Sequence, residues 1–163
     1  MYDTLRLETD TRGVATLTLA REPKHNAMSA QMIAELTQAA AALAADDAVR
    51  VVVLTGAGKS FCAGGDLGWM QAQRDMDPAT RSAEAAKLAA MLGALNTLPK
   101  PLIGRVQGNA FGGGVGMASV CDVPRPGSAS SPPPSGLTCW PGWAKGGRGA
   151  YSCRHACSAQ PRP

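Results

Sequence analysis

The chain has 163 residues, of which 45% are hydrophobic and 17% charged, ordinary globular usage that excludes wholesale disorder and fits one domain with a substantial core. No apolar run reaches the roughly 18 residues that cross a bilayer, and the start Met1-Tyr2-Asp3-Thr4-Leu5 has neither the basic nor the apolar region of a secretory signal. A cytoplasmic protein with no membrane partner is the expectation. The formal charge of +4 would suit a nucleic-acid binder, but all 12 acidic residues precede Pro124, while Arg125, Lys145, Arg148, Arg154 and Arg162 follow it with no acid among them. The body is near neutral and the basicity belongs to the tail, so no nucleic-acid partner is expected.

In chain order, Leu5 to Glu8 and Val14 to Leu19 alternate apolar and polar residues around the turn signal Asp10-Thr11-Arg12-Gly13, which predicts a hairpin. Ser29 is placed to cap a helix to about Ala45, with Met32, Ile33, Leu36, Ala40 and Leu43 on one face. The run Val49 to Thr55, apolar apart from Arg50, reads as a strand buried on both faces. A second helix is predicted from Pro78 to Leu98, capped by Asp77, with Leu88, Met91, Leu92 and Leu95 as its inward stripe. Pro99 and Pro101 stop it, and Leu102 to Val106 follows as another short strand. A further helix opens at the glycine run Gly112-Gly113-Gly114. Hairpin, helix, strand, helix, strand, helix is an α/β order that favours a parallel sheet.

The composition breaks at residue 124. The last 40 residues hold 8 of the 12 prolines and 3 of the 5 cysteines, and Leu137 is their one large aliphatic residue. Such a segment cannot bury enough surface to offset its chain entropy. Residues 1–123 are therefore read as the domain and residues 124–163 as a disordered tail. A shifted reading frame in G+C-rich coding sequence would give this Pro/Arg/Gly/Ser output, and a genuine linker is the plainer alternative.

The sequence touches four familiar chemistries and completes none of them. Thr55-Gly56-Ala57-Gly58-Lys59-Ser60 resembles the end of a phosphate-binding loop, but the pattern needs a glycine where Val53 stands, so a strand-ending turn is the simpler reading. Cys139, Cys153, His155 and Cys157 lack the paired spacing of zinc ligands on both sides, so no metal is expected. No G-x-S-x-G elbow occurs, and no register of the glycine run gives G-x-G-x-x-G. What remains is a pair of glycine-rich segments after strands, Phe61-Cys62-Ala63-Gly64-Gly65-Asp66-Leu67 and Gly108-Asn109-Ala110-Phe111-Gly112-Gly113-Gly114-Val115-Gly116. They are either two sharp turns or two sets of outward backbone N–H groups able to hold one substrate oxygen.

Those segments, with Pro23-Lys24-His25-Asn26-Ala27-Met28-Ser29, the strand Val51 to Gly56, Pro99 to Ile103 and Cys121-Asp122-Val123, resemble the crotonase superfamily of enoyl-CoA hydratases and isomerases in order and spacing. The wording from Ala63 to Met70 and the pair Val115-Gly116 resemble its methylglutaconyl-CoA hydratase branch. The resemblance implies the N-terminal part of a crotonase-type β/α spiral. It implies an acyl-CoA thioester partner and assembly as homotrimers or hexamers, with no cofactor beyond the coenzyme A carried by the substrate. It places the oxyanion donors at the amides of Ala63 and Gly113, with Lys24, Ala27, Gly64, Gly65 and Asp66 in the substrate-binding stretches. Asp66 has helix capping as an equally good account.

Two departures from the family pattern qualify the activity. One of the glutamates that commonly handle the added water would lie three residues after Gly113, where this chain has Gly116. The other would follow the Cys-Asp-Val strand, and no acidic residue occurs after Asp122. The residues therefore leave two readings, a hydratase-type lyase and an inactive fragment that holds acyl-CoA.

Overall fold

The computed structural model describes residues 2–126. Two antiparallel strands open it, β1 (Leu5–Thr9) and β2 (Val14–Leu19), with Leu5 opposite Leu19 and Thr9 opposite Ala15. The turn is fixed by Asp10, whose Oδ1 accepts the N–H groups of Arg12 and Val14 at 2.9 and 3.0 Å. A single 3-10 turn over Glu22–Lys24 leads to helix α1 (Ala30–Ala45), and strands β3 (Val51–Gly56) and β4 (Ser60–Cys62) follow. Then come helices α2 (Leu67–Arg74) and α3 (Pro78–Asn96), strands β5 (Leu102–Val106) and β6 (Asn109–Ala110), helix α4 (Gly113–Ser119) and strand β7 (Val123–Pro126).

The main sheet has the order β1-β2-β3-β5-β7, and every pairing after the hairpin is parallel. Strands β4 and β6 form a separate parallel pair. Strand β2 alternates cleanly, burying Ala15, Leu17 and Leu19, and β3 buries Val52 and Leu54. Helix α1 contributes Met32, Ile33, Leu36, Ala39, Ala40 and Leu43 to the same core cluster. Each fully buried large aliphatic side chain stabilises the fold by roughly 1.5–3 kcal/mol before entropy is counted. In α3 only Met91 and Leu95 are buried, with Leu88 and Leu92 packed against the cluster.

The Ser29 hydroxyl accepts from Met32 N at 3.2 Å and Asp77 caps α3 through Ala79 and Thr80, as the sequence predicts. Three features differ from the sequence reading. The strand expected from Val49 starts at Val51, because the Val49 N–H returns to the Asp46 carbonyl at 3.0 Å in the turn that ends α1. Helix α3 ends at Asn96 rather than Leu98, since Thr97 closes it with bonds to the Gly93 and Leu95 carbonyls. Pro124, Arg125 and Pro126, assigned above to the tail, lie in β7 opposite Gly104, Arg105 and Val106. A strand with two prolines escapes a propensity reading, but a sheet edge tolerates it. The readings made on Cys139, Cys153, His155 and Cys157 and on the rest of the tail fall outside the described residues.

Candidate functional site

Strand β3 delivers the chain to a tight reversal. A Cβ on Gly56 would stand 2.6 Å from the Phe61 carbonyl oxygen and 2.7 Å from that of Ser60, so only glycine lets the two strands pass this closely. Asn26 locks the reversal from outside the sheet. Fully buried and at φ 55, it accepts from Arg21 N at 2.9 Å and donates Nδ2 to the Ala57 and Ser60 carbonyls, both at 2.8 Å. The stretch Thr55 to Ser60 is thus a turn into β4 with no helix opening behind it, unlike a phosphate-binding loop.

Strand β4 carries the chain to the first glycine segment. The Ala63 N–H donates to the His25 carbonyl at 3.0 Å, so the amide expected to hold a substrate oxygen already has an acceptor. The Gly64 N–H points to the Cys62 sulfur at 3.4 Å, and the φ of +91 at Gly64 turns the chain. Next, Met28 pairs with Gly65 as an isolated parallel bridge: Met28 N donates to the Gly64 carbonyl at 2.7 Å, and Asp66 N donates to the Met28 carbonyl at 2.8 Å. In such a bridge the bracketed residue turns its own N–H away from the partner. The Gly65 N–H has no acceptor among the described residues.

The second segment lies against the first. Phe111 N donates to the Cys62 carbonyl at 2.9 Å, and Gly112 adopts φ +48 with ψ −117 to start α4. A Cβ on Gly64 would lie 3.0 Å from the Phe111 oxygen, and one on Gly114 would lie 2.5 Å from the Cys62 oxygen. The amides of Gly114 and Val115 bond to Phe111 and Gly112, whereas the Gly113 N–H has no acceptor among the described residues. Two half-buried amides, Gly65 and Gly113, are therefore left with their donors unused on adjoining backbone segments.

The other expected positions distribute as follows. Asp66 caps α2, with Oδ1 accepting from Gly68 and Trp69 at 2.9 and 3.2 Å, and its Oδ2 pairs with Arg21 at 3.0 Å. The Trp69 N–H, with the Arg21 guanidinium, holds its carboxyl below the usual aspartate range against a smaller opposing effect of burial. Ala27 is buried and its carbonyl accepts from Arg21 Nη1 at 2.5 Å, while Lys24 stands exposed at the end of the 3-10 turn. Gly116 lies one helical turn beyond Gly113, and a Cβ there would make ordinary contact with Leu92 Cδ1 at 3.7 Å. Among the described residues no three His, Cys, Asp or Glu side chains converge to hold a metal, and no helix is long and apolar enough to cross a membrane. The sequence reading missed Arg21, whose fork ties the Ala27 carbonyl to the Asp66 cap. It had a signal in the chain, a basic residue preceding the Pro23 turn, but no local pattern names its partner 45 residues on.

The sequence profile of the family described as enoyl-CoA hydratase/isomerase matches residues 9–128. A 4-chlorobenzoyl coenzyme A dehalogenase-2 from an Arthrobacter species is 39% identical over 118 residues, covering 69% of this chain and 41% of that protein. An enoyl-CoA hydratase from Alternaria alternata is 38% identical over 111 residues, covering 68% of this chain and 35% of its own. The crystal structure of an enoyl-CoA hydratase from Shewanella pealeana superposes with a TM-score of 0.73 at 37% identity, over 75% of this chain and 46% of that one. An enoyl-CoA hydratase from Mycobacterium smegmatis gives 0.71 at 39%, over 75% and 47%. The chain spans less than half the length of each of these proteins. With the parallel sheet, the paired glycine segments and these matches in agreement, the chain belongs to the enoyl-CoA hydratase/isomerase family.

Proposed function

We propose that this chain binds an acyl-CoA thioester with the thioester oxygen between the amides of Gly65 and Gly113, as the carbonyl-activating part of an enzyme that hydrates or isomerises an enoyl-CoA. The observation that carries the reading is the pair of unused N–H donors on adjoining segments. Gly65 replaces Ala63 in this role because the Ala63 N–H is engaged by His25. In the reaction, negative charge grows on the thioester oxygen as the adjacent carbon system becomes enolate-like. Fixed backbone donors stabilise that charge without reorganising, each contributing about 3 kcal/mol.

Hydration also needs a group to take and return the water proton. Glycine at position 116 supplies none, so the chain as it stands is expected to hold the thioester and to show no hydration of an enoyl-CoA. No cofactor is needed beyond the coenzyme A of the substrate. Calorimetric titration of the full chain with a short acyl-CoA, beside the matching S-alkyl-CoA thioether that lacks the carbonyl, tests the reading. Tighter binding of the thioester is the expected result. Equal affinities, or no binding of either, overturn it.

A further inference from the structure

We propose that Met28 is a positioning residue that sets the spacing of the two amide donors at Gly65 and Gly113, an inference that rests on the acyl-CoA reading above. Met28 engages both arms, its backbone on the Gly65 side and its side chain on the Gly113 side. Its backbone brackets Gly65: its N–H is bonded to the Gly64 carbonyl at 2.7 Å and its carbonyl receives the Asp66 N–H at 2.8 Å. Those two bonds fix the peptide plane that aims the Gly65 N–H. Its side chain reaches the other arm, where a Cβ built on Gly113 would overlap the Met28 Cε outright and lie 3.5 Å from Sδ. Gly113 has an ordinary backbone conformation, unlike Gly112 and Gly64. Its lack of a side chain is thus explained by the thioether methyl beside it rather than by the turn.

The side chain is only 1% exposed, so the methyl cannot swing out into solvent to relieve a misfit. Cys62 and Phe111 join the two segments through a backbone hydrogen bond, and Met70 and Trp69 approach Gly65 alone, so Met28 is the side chain that meets Gly113. The thioether of one residue therefore serves as the spacer between donors that belong to β4's exit and α4's entrance. Shortening it would let the Gly113 segment settle toward Gly65, and the two N–H groups would no longer converge on one oxygen. Hydrogen bonds weaken steeply when their angle departs from linear, so a small shift suffices.

The test compares two affinities in the full chain, for a short acyl-CoA thioester and for its S-alkyl-CoA thioether. Met28→Ala is expected to reduce the preference for the thioester by about tenfold, the size of one neutral hydrogen bond, with thioether binding unchanged. The infrared carbonyl stretch of a bound labelled thioester should shift less from its value in water than in the parent. Met28→Ala combined with Gly113→Ala, in which the new methyl fills the vacated space, should recover part of the preference that either change alone removes. If Met28→Ala does not fold, Met28→Leu keeps most of the volume and is expected to show a smaller fall in the same ratio. An unchanged ratio in the folded variant overturns the inference, and so does an equal loss of both ligands, which would make Met28 a core residue only. A parent chain that does not distinguish the ligands overturns the acyl-CoA reading instead, and the role of Met28 with it.

Discussion

Gly113 and Asp66 show how much a single residue decides here. Proline is tolerated at the first position of a helix, where the N–H has no intrahelical partner. Gly113→Pro therefore removes the donor at a position where the backbone bonding of α4 does not use it. Because a proline Cβ would meet the Met28 methyl, the change is made in the Met28→Ala background, where the expected result is loss of the remaining thioester preference in the titration, with far-ultraviolet circular dichroism unchanged. Asp66 makes a prediction in pH. Its folded-state pKa is depressed by the Trp69 N–H and by Arg21, so its contribution is present above the ordinary aspartate value of about 3.9 and is lost as pH falls through the lower folded value. Urea midpoints of the parent and of Asp66→Asn should differ at neutral pH and converge in acid; parallel curves would show that the ion pair and cap contribute nothing through ionisation. At this scale the sequence was only half legible. The glycine-rich segments announce backbone donors, but which amide is unused depends on the carbonyl of His25, a residue far away in sequence whose direction no local pattern gives.

Elements were more legible than their joints. Helices α1 and α3 were readable because both carry a cap residue and a periodic apolar face, and β2, β3 and β5 because alternation or a continuous apolar run suits a parallel sheet. Helix α2 was not, since it spans eight residues and Trp69 alone packs against the core while Leu67 and Met70 stay exposed; only its cap, Asp66, marked the place. The pair β4 and β6 was hidden by brevity, at three and two residues. One joint has a measurable value. Asp122 fastens the exit of α4 to the start of β5, with Oδ2 accepting from Leu102 N and its own N–H donating to the Leu102 carbonyl, both at 2.8 Å. Asp122→Ala leaves the Leu102 amide without that acceptor, and should cost about 1–2 kcal/mol in urea unfolding. A change within a few tenths would mean that water replaces the carboxylate.

For the molecule as a whole, β7 makes the difference between a sheet of five strands and one of four. Ending the chain at Cys121 rather than at Pro126 removes one of the two partners of β5 and both Asp122 bonds. Thermal unfolding should then shift downward by several degrees in a domain of this size. An unchanged midpoint would show that β7 adds nothing to the sheet. The bridge at Met28 has a further consequence, in time rather than in energy. The three backbone segments that meet at Met28 are separated by roughly 85 residues of chain from first to last, so their meeting is a contact of high sequence separation that must wait for the sheet to bring its parts together. During synthesis, residues 28 and 65 leave the ribosome long before residue 113. The proposed thioester site is therefore expected to be among the last features to form as the chain folds, and among the first to be lost when the sheet opens.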